Sequence, residues 1–454
     1  MKLKEFDFKL PKEEKRRKKI IITSISVIAI ILIITLASTF AYYQSIENQN
    51  PINTSVGEFS SGDVIFAVTI DGNSSQTFPT KGSGYISSSV TCDKSATGIW
   101  DNSEWTITVS NLTQSKTTCD INFITIPTLK DTILAQFGGE NAVEEAPVET
   151  FASISQPTDK LMYKMEDDYG WSYYYRGAKS LLNNNLVFAG FQWKIIRING
   201  DNSVRIIYNG ICPNNECTIN NTGVSTLVRF SQFNVAAGSG GSDTKVVGYM
   251  FGGTSTASST SRAQAVANQT SSEAKQGVDN WYATNIANKN ADIVSKISDV
   301  VFCNDRHIYY GSGYGDPMFG IVETTRYIPY ERLVTSGIPT LKCIDKNDRF
   351  TVSDTTVGNG ALTNPVGLIS ADEVVVAGGK PSSANSTYYL YINQDFWTMT
   401  PLGTNAIVPV LLDGSINLNR SSTNGYGIRP VLNLISEVPV LSGDGSASNP
   451  FKVV

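Results

Sequence analysis

Histidine is almost missing from this chain: one in 454 residues, His307. A mixed Cys/His zinc site therefore has a single ring to draw on, and so does imidazole-based catalysis. His307 lies in Asp305-Arg306-His307, with an acid two residues away, but no nucleophile-elbow pattern occurs anywhere. The triplet is read as a polar loop beside Cys303. Charge is also scarce, since Asp, Glu, Lys and Arg together make up 17% of the residues. No repeat of fixed period is visible, which argues against a solenoid or propeller. Only one long apolar run occurs, and no cysteine follows it directly, which argues against a lipid-modified anchor.

That run is the most informative stretch. Residues 1–19 carry nine Lys or Arg against four acids, a net charge of +5, and residues 20–43 carry no charge at all. Twenty-four residues rising about 1.5 Å each exceed the roughly 20 needed to span a bilayer core. The block Lys15-Arg16-Arg17-Lys18-Lys19 abuts the apolar run, so the positive-inside rule places the N-terminus in the cytoplasm and everything from Gln44 outside. The lipid bilayer is thus an expected partner, through residues 20–43. A cleaved signal peptide ending near Ala41 is the other reading, and it too exports the remainder.

Six cysteines fall into three neighbouring pairs: Cys92 with Cys119, Cys212 with Cys217, and Cys303 with Cys343. Fifteen connectivities are possible, and sequential pairing is expected because each pair sits within one segment. Disulfides agree with an oxidising, extracellular compartment. With the basic tail set aside, the exported part carries about −10, from −5 overall and +5 in the tail. Nucleic acid is therefore not an expected partner.

The composition, rich in Asn, Ser, Thr, Gly and Tyr, predicts a β-rich α+β protein. Residues 1–19 read as a cytoplasmic tail, 20–43 as a transmembrane helix and 44–56 as a stalk. Residues 57–127 read as a small antiparallel β-sandwich stapled by Cys92–Cys119. There Val64–Ile70 precedes the tight-turn pair Asp71-Gly72, and Trp105–Val109 and Asp120–Ile124 alternate apolar and polar. Residues 128–160 read as an acidic linker with a short helical turn at Leu129, Ile133 and Leu134. Residues 161–454 form the main α+β domain. In it Gln192–Ile198 and Ser203–Tyr208 flank Asn199-Gly200-Asp201-Asn202, a hairpin signal, and Val278, Trp281, Tyr282 and Ile286 mark one face of a helix. Residues 236–272 read as a long Gly/Ser/Thr-rich loop. Val366–Ile369 reads as a buried strand, followed by a capping box from Ser370 to Glu373 and a helix stopped by Gly378. Strands are expected again over Ile407–Leu412, Ile428–Leu434 and the terminus near Phe451.

Paired carboxylates could hydrolyse glycosides, and Glu323, Glu331, Asp372 and Glu373 are the candidates, although Glu373 already has a capping role. Asp345-Lys346-Asn347-Asp348 resembles half of a calcium loop without the downstream acid of an EF-hand. Calcium there is one reading and a polar turn the other, and no further cofactor is expected. The clustered tyrosines Tyr173, Tyr174, Tyr175, Tyr309, Tyr310, Tyr388, Tyr389 and Tyr391 read mainly as core, with sugar or protein contact as the alternative.

Several segments in order carry a resemblance. Trp171–Arg176, Phe188–Arg197, Gly367–Glu373, Tyr388-Tyr389-Leu390, Phe396–Pro401 and Gly427–Leu434 together resemble a bacterial, Firmicutes-like family of anchored surface domains of unknown function. That family is distantly similar to the C-type-lectin-like fold of formylglycine-generating sulfatase-modifying enzymes. Gly427-Ile428-Arg429 resembles their late Gly-Phe-Arg element. Those enzymes use a cysteine pair near the C-terminal end, and the last cysteine here is Cys343, so the resemblance implies a binding scaffold and not an oxidase. In a lectin-like fold the late loops form the ligand face, which implies Trp397, Asn405, Arg420, Asn424 and Tyr426 as binding residues. The expected function is a surface-displayed binding or adhesion protein for a carbohydrate or protein ligand. An extracellular carbohydrate hydrolase and a non-catalytic envelope component are the alternatives.

Overall fold

The computed structural model describes residues 52–54, 64–102, 104–112, 116–146, 160–212, 227–234, 248–252, 262–289, 291–309, 326–403, 406–418, 420 and 424–453. The protein is β-rich, with several sheets and short helices. Two compact units divide between Thr125 and Ile126. The expected cytoplasmic tail and transmembrane helix, residues 1–43, lie outside the described residues. Among the described residues, no helix is long and apolar enough to cross a membrane.

Among the described residues the first unit holds seven strands: β1 (Ile52–Thr54), β2 (Val64–Ile70), β3 (Asn73–Ser75), β4 (Tyr85–Cys92), β5 (Thr97–Asp101), β6 (Thr106–Ser110) and β7 (Thr117–Thr125). They form a three-stranded sheet, β1-β6-β5, and a four-stranded sheet, β3-β2-β7-β4. Alternation decides what faces inward. Ile107 and Val109 of β6 and Cys119, Ile121 and Phe123 of β7 are fully buried, in one core with Val68 and Trp105. The Phe123 ring meets Trp100 edge-on at 5.1 Å. The β2–β3 turn is the expected one, with positive φ at both Asp71 and Gly72.

Pairing in this unit is not purely antiparallel. β2 runs parallel to β7 from Val64↔Thr117 to Ile70↔Phe123, and β1 runs parallel to β6. One edge of β2 is taken by β3 through the tight turn, so its other edge is closed by a strand from the far end of the unit. Cys92 and Cys119 are bonded and sit directly opposite each other on β4 and β7. The disulfide therefore ties neighbours within one sheet.

The second unit begins earlier than expected. Helix Leu129–Ala135 is capped by Thr128, whose hydroxyl accepts from Asp131 N at 3.1 Å. Its Leu129, Ile133 and Leu134, followed by Val143 and Ala146, join the core of the large unit. Residues 126–146 are thus part of that unit and not a linker, because the apolar residues at one face of a single helical turn are enough to seat it.

The main sheet of this unit is built on β8 (Met162–Glu166), β9 (Trp171–Tyr175), β10 (Asn185–Phe188), β11 (Phe191–Ile198) and β12 (Val204–Ile211). Strand Val431–Leu434 flanks β12, strand Phe451–Lys452 flanks β10, and β9 pairs with both β11 and β8. The expected hairpin around Asn199–Asn202 joins β11 to β12. A second sheet runs Arg229–Gln232, Gly425–Ile428, Phe396–Gly403, Ala406–Val410, Ser415–Ile416 and Lys380–Pro381.

The run Ile428–Leu434, expected as one strand, is split between the two sheets at Arg429-Pro430, where proline removes a ladder donor. Val366–Ile369 is buried as expected but makes only an isolated bridge, Gly367 with Val431. Helix Glu273–Tyr282 buries Val278 and Tyr282, matching the predicted face. Within the expected loop 236–272, Met250–Phe251 pairs with Thr270–Ser271, and a short helix spans Arg262–Ala265.

Candidate functional site

Two features of the second unit could carry chemistry: a web of buried charges and an open cleft beside it. The web begins at the β8–β9 turn. Asp167 N donates to Gly170 O at 2.7 Å, and Asp167 Oδ1 accepts from Tyr169 N, which closes the turn. The other carboxylate oxygen accepts from Arg197 Nη1 of β11 at 2.5 Å and from Gly200 N at 2.9 Å. Arg197 Nε then donates to Glu373 at 3.0 Å, and Arg205 Nε of β12 lies 2.8 Å from the same oxygen.

Glu373 reaches this position because the capping box forms as predicted. The Ser370 hydroxyl accepts from Glu373 N, and the Glu373 carboxylate accepts from Ser370 N. Burial pushes the Glu373 carboxyl up, but Arg205, Arg197 and the Ser370 N–H outweigh it and hold it below its ordinary value. Asp372 is bound through both oxygens by Arg332, whose Nη2 also donates to Asp305 at 2.6 Å. Burial raises Asp305 to about 6, against the pull of Arg332. The space enclosed by the web is about 20 Å³, room for one water and no substrate.

Of the proposed hydrolytic acids, then, Asp372 and Glu373 are ion-paired inside the unit. Glu331 is half-buried, and Glu323 lies outside the described residues. An acid held below its ordinary pKa by two guanidinium groups is a poor proton donor at neutral pH. His307 Nδ1 lies 3.1 Å from Asp345, not Asp305. Asp348 accepts from the Arg306 guanidinium and backbone N–H, so the two outer carboxylates of the calcium-like segment face a histidine and an arginine. One His/Cys/Asp/Glu cluster of metal-binding dimensions occurs among the described residues, Cys303–Asp305–Cys343. Its two cysteines are bonded to each other, as predicted. Cys212 is also disulfide-bonded, and Cys217 lies outside the described residues.

The late-loop face is placed differently from the expectation. Trp397 has no exposed surface; its Nε1 donates to Ser231 O at 3.0 Å, and its ring packs edge-on against Tyr426 at 4.6 Å. Tyr426 is itself buried, and Asn424 Nδ2 donates to its hydroxyl. Arg420 is half-buried, and Asn405 lies outside the described residues. The structure thus brings Trp397, Tyr426 and Asn424 together, with both rings in the core and Asn424 half-buried beside them. All eight residues of Phe396–Gly403 are buried. The clustered tyrosines follow their core reading at Tyr173, Tyr174, Tyr175, Tyr388 and Tyr389. Arg429 is buried too, donating to the carbonyls of Tyr208 and Leu390 and to Asn209.

An exposed aromatic surface lies elsewhere. Trp171 is 41% exposed, whereas the other five tryptophans are buried or half-buried. It borders an open cleft of about 770 Å³, within the size range of ligand sites, together with Met165, Ile338 and the acids Glu145, Glu166 and Glu331. The β8–β9 register sets Glu166 opposite Trp171 and Lys164 opposite Tyr173, and the Lys164 ammonium lies 5.2 Å from the Trp171 ring centre. Lys342 on the far side pairs with Glu166. Arg332 lines both the cleft and the buried web. Trp171 stood in the sequence only as part of a resembling segment, and the cleft joins three distant stretches, 145, 165–171 and 331–342.

No family model, no curated protein and no solved structure matches this chain.

Proposed function

We propose that this is a membrane-anchored surface protein whose second unit binds an extracellular ligand without transforming it. In this reading residues 1–19 lie in the cytoplasm, residues 20–43 cross the bilayer and the two units stand outside. The first unit acts as a spacer. The disulfides Cys92–Cys119 and Cys303–Cys343 agree with an oxidising compartment. The resemblance of residues 161–454 to a C-type-lectin-like scaffold belongs to the same proposal.

The observation that carries it is the exposed Trp171 at an open cleft, while the acid pair Asp372 and Glu373 is held by buried arginines. Tryptophan is, with tyrosine and arginine, enriched among the residues that carry binding energy. The test is an array of glycans and extracellular proteins probed with the full chain and with Trp171→Ala. Specific signals that fade in the variant support the reading, and signals indifferent to it refute the cleft as the binding site. Bond cleavage in any arrayed glycan would favour the hydrolase instead. Labelling of cysteines introduced before Lys15 and after Gln44, on intact and permeabilised cells, tests the orientation.

A further inference from the structure

We infer that the Trp171 cleft takes a saccharide that is uncharged or carries amines, a narrowing of ligand class that rests on the binding function proposed above. Three observations lead there. The first is the aromatic platform. A pyranose presents a face of C–H groups that packs on an indole ring while its hydroxyls stay free for polar partners. Trp171 is placed for this at the start of β9, its ring bordering the cleft and 41% exposed.

The second is the charge around the ring. Lys342 is paired with Glu166, and Arg332 is paired with Asp305 and Asp372. Glu145 and Glu331 have no cation partner among the described residues. Set against Lys164, whose ammonium lies 5.2 Å from the Trp171 ring centre, they leave one carboxylate in surplus. Carboxylates are acceptors only, suited to sugar hydroxyls and to ammonium groups and repelled by a uronate or a sialate. Arg332, nine-tenths buried, also lines the cleft, and its Nη1 has no acceptor among the described residues.

The third disfavours a peptide. Extended peptides commonly bind by adding a strand to a free sheet edge. The edge beside this cleft is β8, and it is already covered: Lys164 N donates to Glu144 O, and Ala146 N donates to Lys164 O. A peptide would find side-chain contacts but no open backbone ladder.

The experiment uses the full chain in a non-glycosidic detergent, titrated with three trisaccharides: N-acetylglucosamine (neutral), glucosamine (cationic) and galacturonic acid (anionic). Tryptophan emission is the readout, because Trp171 is the most exposed indole. Saturable binding of the neutral and cationic trimers is expected, with the anionic trimer at least tenfold weaker. Trp171→Ala should weaken binding at least tenfold, followed by calorimetry, with an unchanged melting curve. Glu145→Gln with Glu331→Gln should narrow the gap between the glucosamine and galacturonic acid trimers. Tightest binding to the anionic trimer overturns the inference. So does failure of all three saccharides while a peptide library yields ligands that Trp171→Ala abolishes; in that case the binding function stands and the ligand class falls. If neither class yields a ligand sensitive to Trp171→Ala, both readings fall together.

Discussion

Replacing Glu373 by Gln is the sharpest probe of the buried charge web. The substitution keeps the volume and leaves an amide oxygen able to accept from Ser370 N, so the capping box survives in outline. What it removes is the single negative charge shared by Arg197 and Arg205, whose side chains are 6% and 2% exposed. Arg197 retains Asp167, but Arg205 pairs with no other carboxylate among the described residues. Removing one partner of a buried ion pair typically costs about 3–5 kcal/mol, because the other charge is left without compensation.

A loss of about 3–5 kcal/mol is a large share of the roughly 5–15 kcal/mol available to a domain. The comparison is Ser370→Ala, which removes the cap alone and should cost about 1 kcal/mol. Hydrogen exchange of peptides covering Phe191–Ile198 and Val204–Ile211 reports on the second unit by itself, which avoids treating a two-unit chain as two-state. A Glu373→Gln effect no larger than that of Ser370→Ala would show that the carboxylate charge does not hold the web together. The acid would then be free for the hydrolytic role argued against above.

Asp305 supplies a pH signature. Its carboxyl is raised to about 6 from an ordinary 3.8, so the folded state holds the proton more tightly. The associated stabilisation, roughly 3 kcal/mol at most, is complete below pH 3.8 and lost as pH rises through about 6. Glu373 has the opposite sign, losing stabilisation as pH falls below about 4.5, so the second unit should gain stability between pH 7 and 5 and lose it in stronger acid. Asp305→Asn should flatten the gain, and an unchanged slope would assign it to another group. Arg429→Met should destabilise by about 2–4 kcal/mol, since two buried carbonyls lose their donor; exchange protection of Val204–Ile211 checks this. Cys303→Ala with Cys343→Ala opens a loop of sequence separation 40, worth roughly 4 kcal/mol by chain entropy. It should lower the melting transition of the second unit while leaving that of the first in place.

What was legible in the sequence was local. The Asp71-Gly72 and Asn199–Asn202 turns, the Ser370–Glu373 capping box and the face of helix Glu273–Tyr282 all depend on residues within a few positions of one another. Strand partners do not. The alternation in β2 and β7 announces two half-buried strands, yet nothing in period two reports that they run parallel. The charge web was hidden for a related reason. Arg197 and Arg205 stand at the polar positions of strands rich in isoleucine, a pattern that reads as one solvated face, whereas both faces of β11 and β12 are covered.

The burial of Trp397 shows how that ambiguity bears on the choice of a candidate site. Trp397 and Trp171 each belong to an aromatic-rich strand, and neither hydrophobicity nor spacing separates display from burial. Their polar neighbours do. In Phe396–Gly403 the Thr398 hydroxyl donates to Val408 O and the Thr400 hydroxyl accepts from Ala371 N, so even the polar positions are spent inside the unit. Beside Trp171, Glu166 pairs with an exposed lysine, and Glu145 and Glu331 pair with no cation among the described residues. A tryptophan whose polar neighbours are satisfied internally is core. One whose neighbours still face solvent is where a ligand can add contacts that the fold does not make for itself, and that difference, invisible to spacing, is why the proposed binding face is set at Trp171 and not at Trp397.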